Sequence, residues 1–144
     1  MACELCTHLE TPAWSVVAAT PRLHVVRVLD APDFPAFYRV IWNTHVAELS
    51  DLSDADRAHA MDTVVTVERA LRDQLSPTKI NLAALGNLVP HLHWHVIARF
   101  ARDSHFPQPI WGTRQRDSDL DALARLGLAL PAIDERIAAA LAAS

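Results

Sequence analysis

Three histidines at alternate positions, in the run His91-Leu92-His93-Trp94-His95-Val96-Ile97, constrain this chain more than any other feature. Side chains along a β-strand repeat every two residues. As a strand, the run puts three imidazoles on one face and Leu92, Trp94, Val96, Ala98 and Phe100 on the other. The apolar row suits a core, while the histidine row opens onto a polar site. Packing and chemistry are thus separated across one strand.

The rest of the chain reads as the frame for that strand. Short strands are predicted over Trp14–Ala18, His24–Leu29 and Phe37–Trp42, set apart by Pro12, Pro21, Pro32 and Pro35. Ser53 is an N-cap with Asp56 three residues on, and Ala60, Val64, Val67, Leu71 and Leu75 follow at helical spacing, which predicts one long helix to about Leu75. Glu68 with Arg72 and Arg69 with Asp73 would pair on its solvated face, and Pro77 stops it. A strand from Lys79 to about Leu85 leads through Gly86-Asn87 and Pro90 into the histidine strand. Beyond an irregular stretch over Pro107–Gln115, a short helix near Ser118–Leu128 and a last Ala-rich helix after Pro131 are expected.

With 144 residues and 51% hydrophobic content, the chain is expected to be one domain, 1–144, with a core over about 1–115 and a helical C-terminal extension over about 116–144. Thirteen Lys plus Arg against 17 Asp plus Glu give a formal charge of -4, which argues against broad electrostatic binding of nucleic acid. No apolar run reaches the ~20 residues of a membrane span. Glu4 and Glu10 stand where a secretory leader would be basic, so a cytoplasmic protein with no membrane partner is expected. Cys3 and Cys6 form a short Cys-x-x-Cys with no preceding strand to build a redox site, which favours metal binding over disulfide exchange.

A neutral imidazole is a nucleophile near pH 7 and its protonated form an acid, so neighbouring histidines can divide those roles. Phosphoryl and nucleotidyl transfer need chiefly positioning and hydrogen-bond donors on the non-bridging oxygens. The histidine run resembles the signature of the histidine triad (HIT) family of nucleotide hydrolases and transferases. Gly86-Asn87-Leu88-Val89-Pro90, Ile41-Trp42-Asn43-Thr44-His45, Asp30 and Trp111 fall where that family's other landmarks fall.

The resemblance implies an α+β fold: a HIT-like antiparallel sheet of about five strands with one long helix, paired into a homodimer. It implies that His93 attacks the α-phosphate of a purine nucleotide conjugate, such as a dinucleoside polyphosphate (diadenosine tetraphosphate) or a nucleoside phosphoramidate. Water would then release the monophosphate. By the same comparison His95 lies near the leaving group, Asp30 bonds the ribose hydroxyls, Asn81 helps hold the α-phosphate or ribose side, and Asn87 lines the phosphate pocket, with His91 completing the catalytic triplet. Two departures stand out. Phe37 occupies the place of a fourth histidine of many members, and Leu88 that of a small hydroxyl residue.

Some bacterial members that this chain resembles bind structural zinc, and the matching ligands here are Cys3, Cys6, His45 and His91. Two thiolates and two imidazoles make a closed tetrahedral set. Two alternatives stay open: a nucleotide-binding module without turnover, and a metalloenzyme holding its metal on the triplet itself. His8, His24, His59 and His105 carry no pattern and are assigned no role. Trp14, Trp42 and Trp94 are read as core, and Arg114 and Arg116 as an exposed basic tail.

Overall fold

In the computed structural model, which describes residues 3–7 and 10–143, five antiparallel strands form one sheet in the order β1-β2-β3-β5-β4. The strands are β1 (Trp14–Ala19), β2 (Leu23–Val28), β3 (Phe37–Trp42), β4 (Lys79–Ala83) and β5 (His93–Arg99). A short helix, α1 (Glu4–Thr7), precedes them. Two long helices, α2 (Asp54–Leu75) and α3 (Leu120–Ala142), cover one face of the sheet. This is the α+β architecture expected, a five-stranded antiparallel sheet with long helices on one face.

The alternation of β5 decides which face the helices take. Leu92, Val96 and Ala98 are buried in one cluster with Ala60, Val64, Val67 and Leu71 of α2, and Trp94 and Phe100 pack at its edge. Tyr38 of β3 shares that cluster, and neighbouring Phe37 belongs to the other face. The N-cap of α2 is Ser53, whose side chain accepts from the Asp56 N–H, and the helix ends at Ser76 in the left-handed conformation just before Pro77. The expected ion pairs within α2 do not form; Asp73, expected to pair with Arg69, reaches across to Arg136 of α3 instead.

The C-terminal region differs most from expectation. One helix of 23 residues replaces two, with Pro131 inside it. Proline removes one N–H, that aimed at the carbonyl of Gly127, and normally breaks a helix. Here Leu130, Ile133, Ile137 and Leu141 lie on one buried stripe in the main cluster. Asp134, on the same helix, accepts from Arg27 (3.0 Å) and from the Tyr38 hydroxyl (2.6 Å). Contacts on both sides of Pro131 hold the helix in one piece. β4 stops at Ala83, two residues short of expectation, and β5 starts at His93, so His91 precedes the strand.

Candidate active site and metal centre

The sheet face away from the helices carries the polar groups. Strand pairing sets Ile41 beside His93, Arg39 beside His95 and Phe37 beside Ile97. Asn81 pairs with Ile97 from the other side. His93 and His95 are edge-on neighbours, 4.9 Å between ring centroids. Phe37 and Trp111 close on His95 from two further directions at 5.6 and 5.1 Å. His95 is therefore buried. Its desolvation, with the charges of His93 and Arg39 adding to it, pushes its pKa down to about 3. Burial also lowers that of His93, partly offset by a bond to the His91 carbonyl.

That bond fixes the chemistry of His93. Its Nδ1–H donates to the backbone oxygen of His91 at 2.6 Å, which leaves the Nε2 lone pair free as a nucleophile or base. A cavity of about 370 Å³ lies alongside, walled by Val28, Asp30, Phe37, Arg39, Ile110 and Trp111. It is apolar enough for a planar base and has two carboxylates in its lining, Asp30 and Asp33, of which Asp33 is taken by Arg114 and Ser118.

Of the expected nucleotide contacts, Asp30 lines this cavity. Asn81 lies on the same face, with its Oδ1 accepting from Arg99 at 2.9 Å, so its amide N–H groups remain to donate. Asn87 sits on the exposed loop before β5 and makes no hydrogen bond among the described residues. Gly86, at φ +67°, supplies the backbone turn that starts this loop. Leu88 is 97% exposed.

His91 does not join the other two rings. It lies on the bend before β5, where Leu92 accepts from the Trp42 N–H and donates to the Val46 carbonyl. Its Nε2–H donates to the Trp42 carbonyl. Its Nδ1 faces Cys6 Sγ at 3.3 Å, Cys3 Sγ at 3.4 Å and His45 Nδ1 at 3.2 Å, and Cys6 Sγ is 3.4 Å from His45 Nδ1. All four ligand atoms fall within 4.8 Å of one another. A tetrahedron with Zn–S of about 2.3 Å and Zn–N of about 2.0 Å has mixed edges of about 3.5 Å and an N–N edge of about 3.3 Å. Three S–N distances and the N–N distance have those dimensions, and the Trp42 bond holds His91 in the tautomer that presents Nδ1. The residues fit a structural zinc ion. Among the described residues, His91 converges with Cys3, Cys6 and His45 and is not grouped with His93 and His95.

Other expectations change in detail. Trp14 packs on the site face against Leu5, Val26 and Ile41, not in the main core. Arg114 and Arg116 are not a free tail: Arg114 pairs with Asp33 (2.5 Å), and Arg116 donates to the carbonyls of Asp103 and Phe106. His24 is buried and bonded to Asn43 Oδ1, and His105 lines the cavity wall. His8 lies outside the described residues.

The HIT domain model matches residues 12–102. The chain belongs to the HIT family. A histidine triad protein from Bradyrhizobium japonicum is 32% identical, with a TM-score of 0.67 over 83% of this chain and 89% of that one. A zinc-bound HIT protein from Mycobacterium smegmatis shares the fold at 23% identity and a TM-score of 0.63, over 99% and 98% of the two chains. An AP-4-A phosphorylase from Mycobacterium tuberculosis is 30% identical over 89 residues, 58% of this chain and 46% of that enzyme. The chain thus matches just under half the length of that curated relative. The family match ends before Trp111 and starts after Cys3 and Cys6, so one wall of the pocket and two metal ligands come from outside it. Arg39 escaped the sequence reading, although Phe37-Arg39-Ile41 at period two sets a charge on an otherwise apolar strand face.

Proposed function

We propose that this protein is a hydrolase or transferase that cleaves purine nucleotide conjugates at the α-phosphate through a nucleotidyl intermediate on His93. The observation that carries the reading is the His93 Nδ1–H bond to the His91 carbonyl, which commits Nε2 to attack. In the first half-reaction the Nε2 lone pair forms a bond to the α-phosphorus. The P–O bond to the leaving phosphate breaks, or the P–N bond in a phosphoramidate, and its electron pair departs with the leaving group, the phosphoramidate nitrogen taking a proton from solvent so that it leaves as the neutral amine. In the second, water attacks phosphorus, the P–Nε2 bond returns its pair to the ring, and the nucleoside monophosphate leaves. Inorganic phosphate as acceptor would release the nucleoside diphosphate instead, the outcome that likeness to an AP-4-A phosphorylase makes worth separating.

His95 is neutral at pH 7 and serves as a hydrogen-bond donor near the leaving group, not as a charged acid. Asp30 takes the ribose hydroxyls at the cavity rim, Asn81 donates on the phosphate side, and Asn87 joins from its loop when substrate is bound. Cys3, Cys6, His45 and His91 hold structural zinc, which ties α1 to the sheet and takes no part in the chemistry. The active protein is a homodimer of this chain. The test is product analysis with diadenosine tetraphosphate and with an adenosine phosphoramidate, each with and without inorganic phosphate and against His93→Ala. AMP or ADP that disappears in the variant supports the reading. Nucleotide binding without turnover of either substrate favours a binding module, for which Phe37 in place of a polar donor is the structural argument.

A further inference from the structure

Arg39 is an anomaly in an otherwise satisfied structure. Among the described arginines that are not exposed, Arg27, Arg57 and Arg99 each hold a carboxylate. The Arg39 side chain has no ion pair and no hydrogen bond among the described residues, and its Nε is buried without an acceptor. Its guanidinium carbon lies 5.4 Å from the Phe37 ring centroid and 5.9 Å from that of Trp14. These faces position a cation but accept no conventional hydrogen bond from it. Asp30 attracts it from the cavity rim without forming an ion pair. Leaving a desolvated charged donor unmatched is costly, and such exceptions collect where a ligand completes them.

The position says which ligand. Arg39 forms part of the cavity wall and is the direct cross-strand neighbour of His95, whose Nδ1 is likewise buried without a partner. The guanidinium therefore stands between the space for a nucleoside and the nucleophilic pair. A planar fork of N–H donors matches two oxygens of one phosphate. Resting on the nucleotide reading above, we infer that Arg39 binds the α-phosphate of the substrate through its guanidinium, making the site selective for nucleoside 5′-phosphates over nucleosides.

The chain's other arginines near this face are spoken for. Arg99 is held by Asp103 and Arg114 by Asp33. Arg39 thus supplies a fixed positive charge where Phe37 supplies none, and the two side chains share one strand face. The aromatic contacts keep the guanidinium flat and in place before substrate arrives, so little side-chain entropy is lost on binding.

The experiment is calorimetric titration of AMP and of adenosine into the wild-type protein, Arg39→Gln and Arg39→Lys, with thermal unfolding to show that each variant is folded. Wild type should prefer AMP. Arg39→Gln should lose about 10- to 100-fold in AMP affinity and leave adenosine unchanged, and Arg39→Lys should recover part of the loss. A Gln variant that binds AMP as wild type does, or weakens AMP and adenosine alike, overturns the assignment while leaving the nucleotide reading intact. A wild-type protein that binds neither ligand overturns that reading, and Arg39's role with it. If Arg39→Gln does not fold, the Lys variant alone decides: its charge without the fork should weaken AMP and spare adenosine, and an unchanged AMP affinity refutes the fork.

Discussion

Asp103 should be the most stability-critical side chain on the site face, and Asp103→Asn tests this with almost no change in shape. Its Oδ1 accepts from Arg99 Nη2 (3.0 Å) and from the backbone N–H groups of His105 (3.0 Å) and Phe106 (2.7 Å). Its Oδ2 accepts from Arg99 Nε (2.8 Å) and the Phe100 N–H (3.2 Å). An amide keeps one acceptor and turns an NH₂ group toward donors. Arg99, whose side chain is 2% exposed, then loses its counter-charge. It keeps the neutral Asn81 and Gln108 oxygens and at most one amide oxygen in place of the carboxylate. Breaking a buried pair on one side costs about 3–5 kcal/mol, a large part of the roughly 5–15 kcal/mol of a small domain. Urea unfolding at pH 7 should show a loss of that size. The same clamp organises the loop that carries Trp111, so Asp103→Asn should also speed proteolytic cleavage between 104 and 116. Burial pushes the Asp103 carboxyl up, but Arg99 and the three backbone N–H groups outweigh it and hold the group below 3.8. The stabilisation is therefore complete above about pH 4 and is lost as pH falls through the folded value. A loss below about 1 kcal/mol, or an acid limb unchanged in the variant, would refute the clamp.

Purified protein should contain one zinc per chain by atomic emission. Cys3→Ala with Cys6→Ala should lose it, and chelation should lower the melting temperature of the parent without affecting the double variant. His95 predicts acid sensitivity of a second kind. Its folded pKa of about 3 lies below the ordinary 6.5, so the unfolded chain takes the proton first. The stability this gives is intact above about pH 6.5 and falls toward pH 3, by roughly 2 kcal/mol at pH 5. His95→Asn should flatten the decline in unfolding free energy between pH 7 and 5, and a slope equal to that of wild type would contradict the assignment.

How much of this was legible in the sequence depended on whether a feature is local. The capped helix from Ser53, the stop at Pro77 and the two faces of the histidine strand follow from short-range rules, and the structure keeps them. The metal ligands came from resemblance, since nothing local brings Cys3 and Cys6 to His45 and His91 across 39 to 88 residues. The unbroken α3 was illegible because proline's local penalty is outweighed by Ile133, Ile137 and Asp134 packing beyond it. Arg99 was open to discovery by the argument that found the histidines. It continues the 93-95-97 alternation onto the site face, and a charge there needed an explanation.

His91, expected both in the catalytic triplet and among the metal ligands, divides those places between its ring and its main chain. Its polar groups act in three different places. Nδ1 faces the thiols, Nε2–H holds the Trp42 carbonyl of β3, and the backbone carbonyl fixes the tautomer of His93. The ring belongs to the cluster with Cys3, Cys6 and His45, and the main chain to His93, the nucleophile of the proposed reaction. Losing the cysteines removes a ligand pair but leaves the Trp42 bond and the Leu92 backbone bonds to Trp42 and Val46 that hold this bend. His91→Ala removes the buried ring itself, and with it the support of the carbonyl that His93 depends on. The two kinds of variant therefore separate the contributions. Metal loss alone should act first on stability, whereas damage at His91 should act on both stability and the nucleophile.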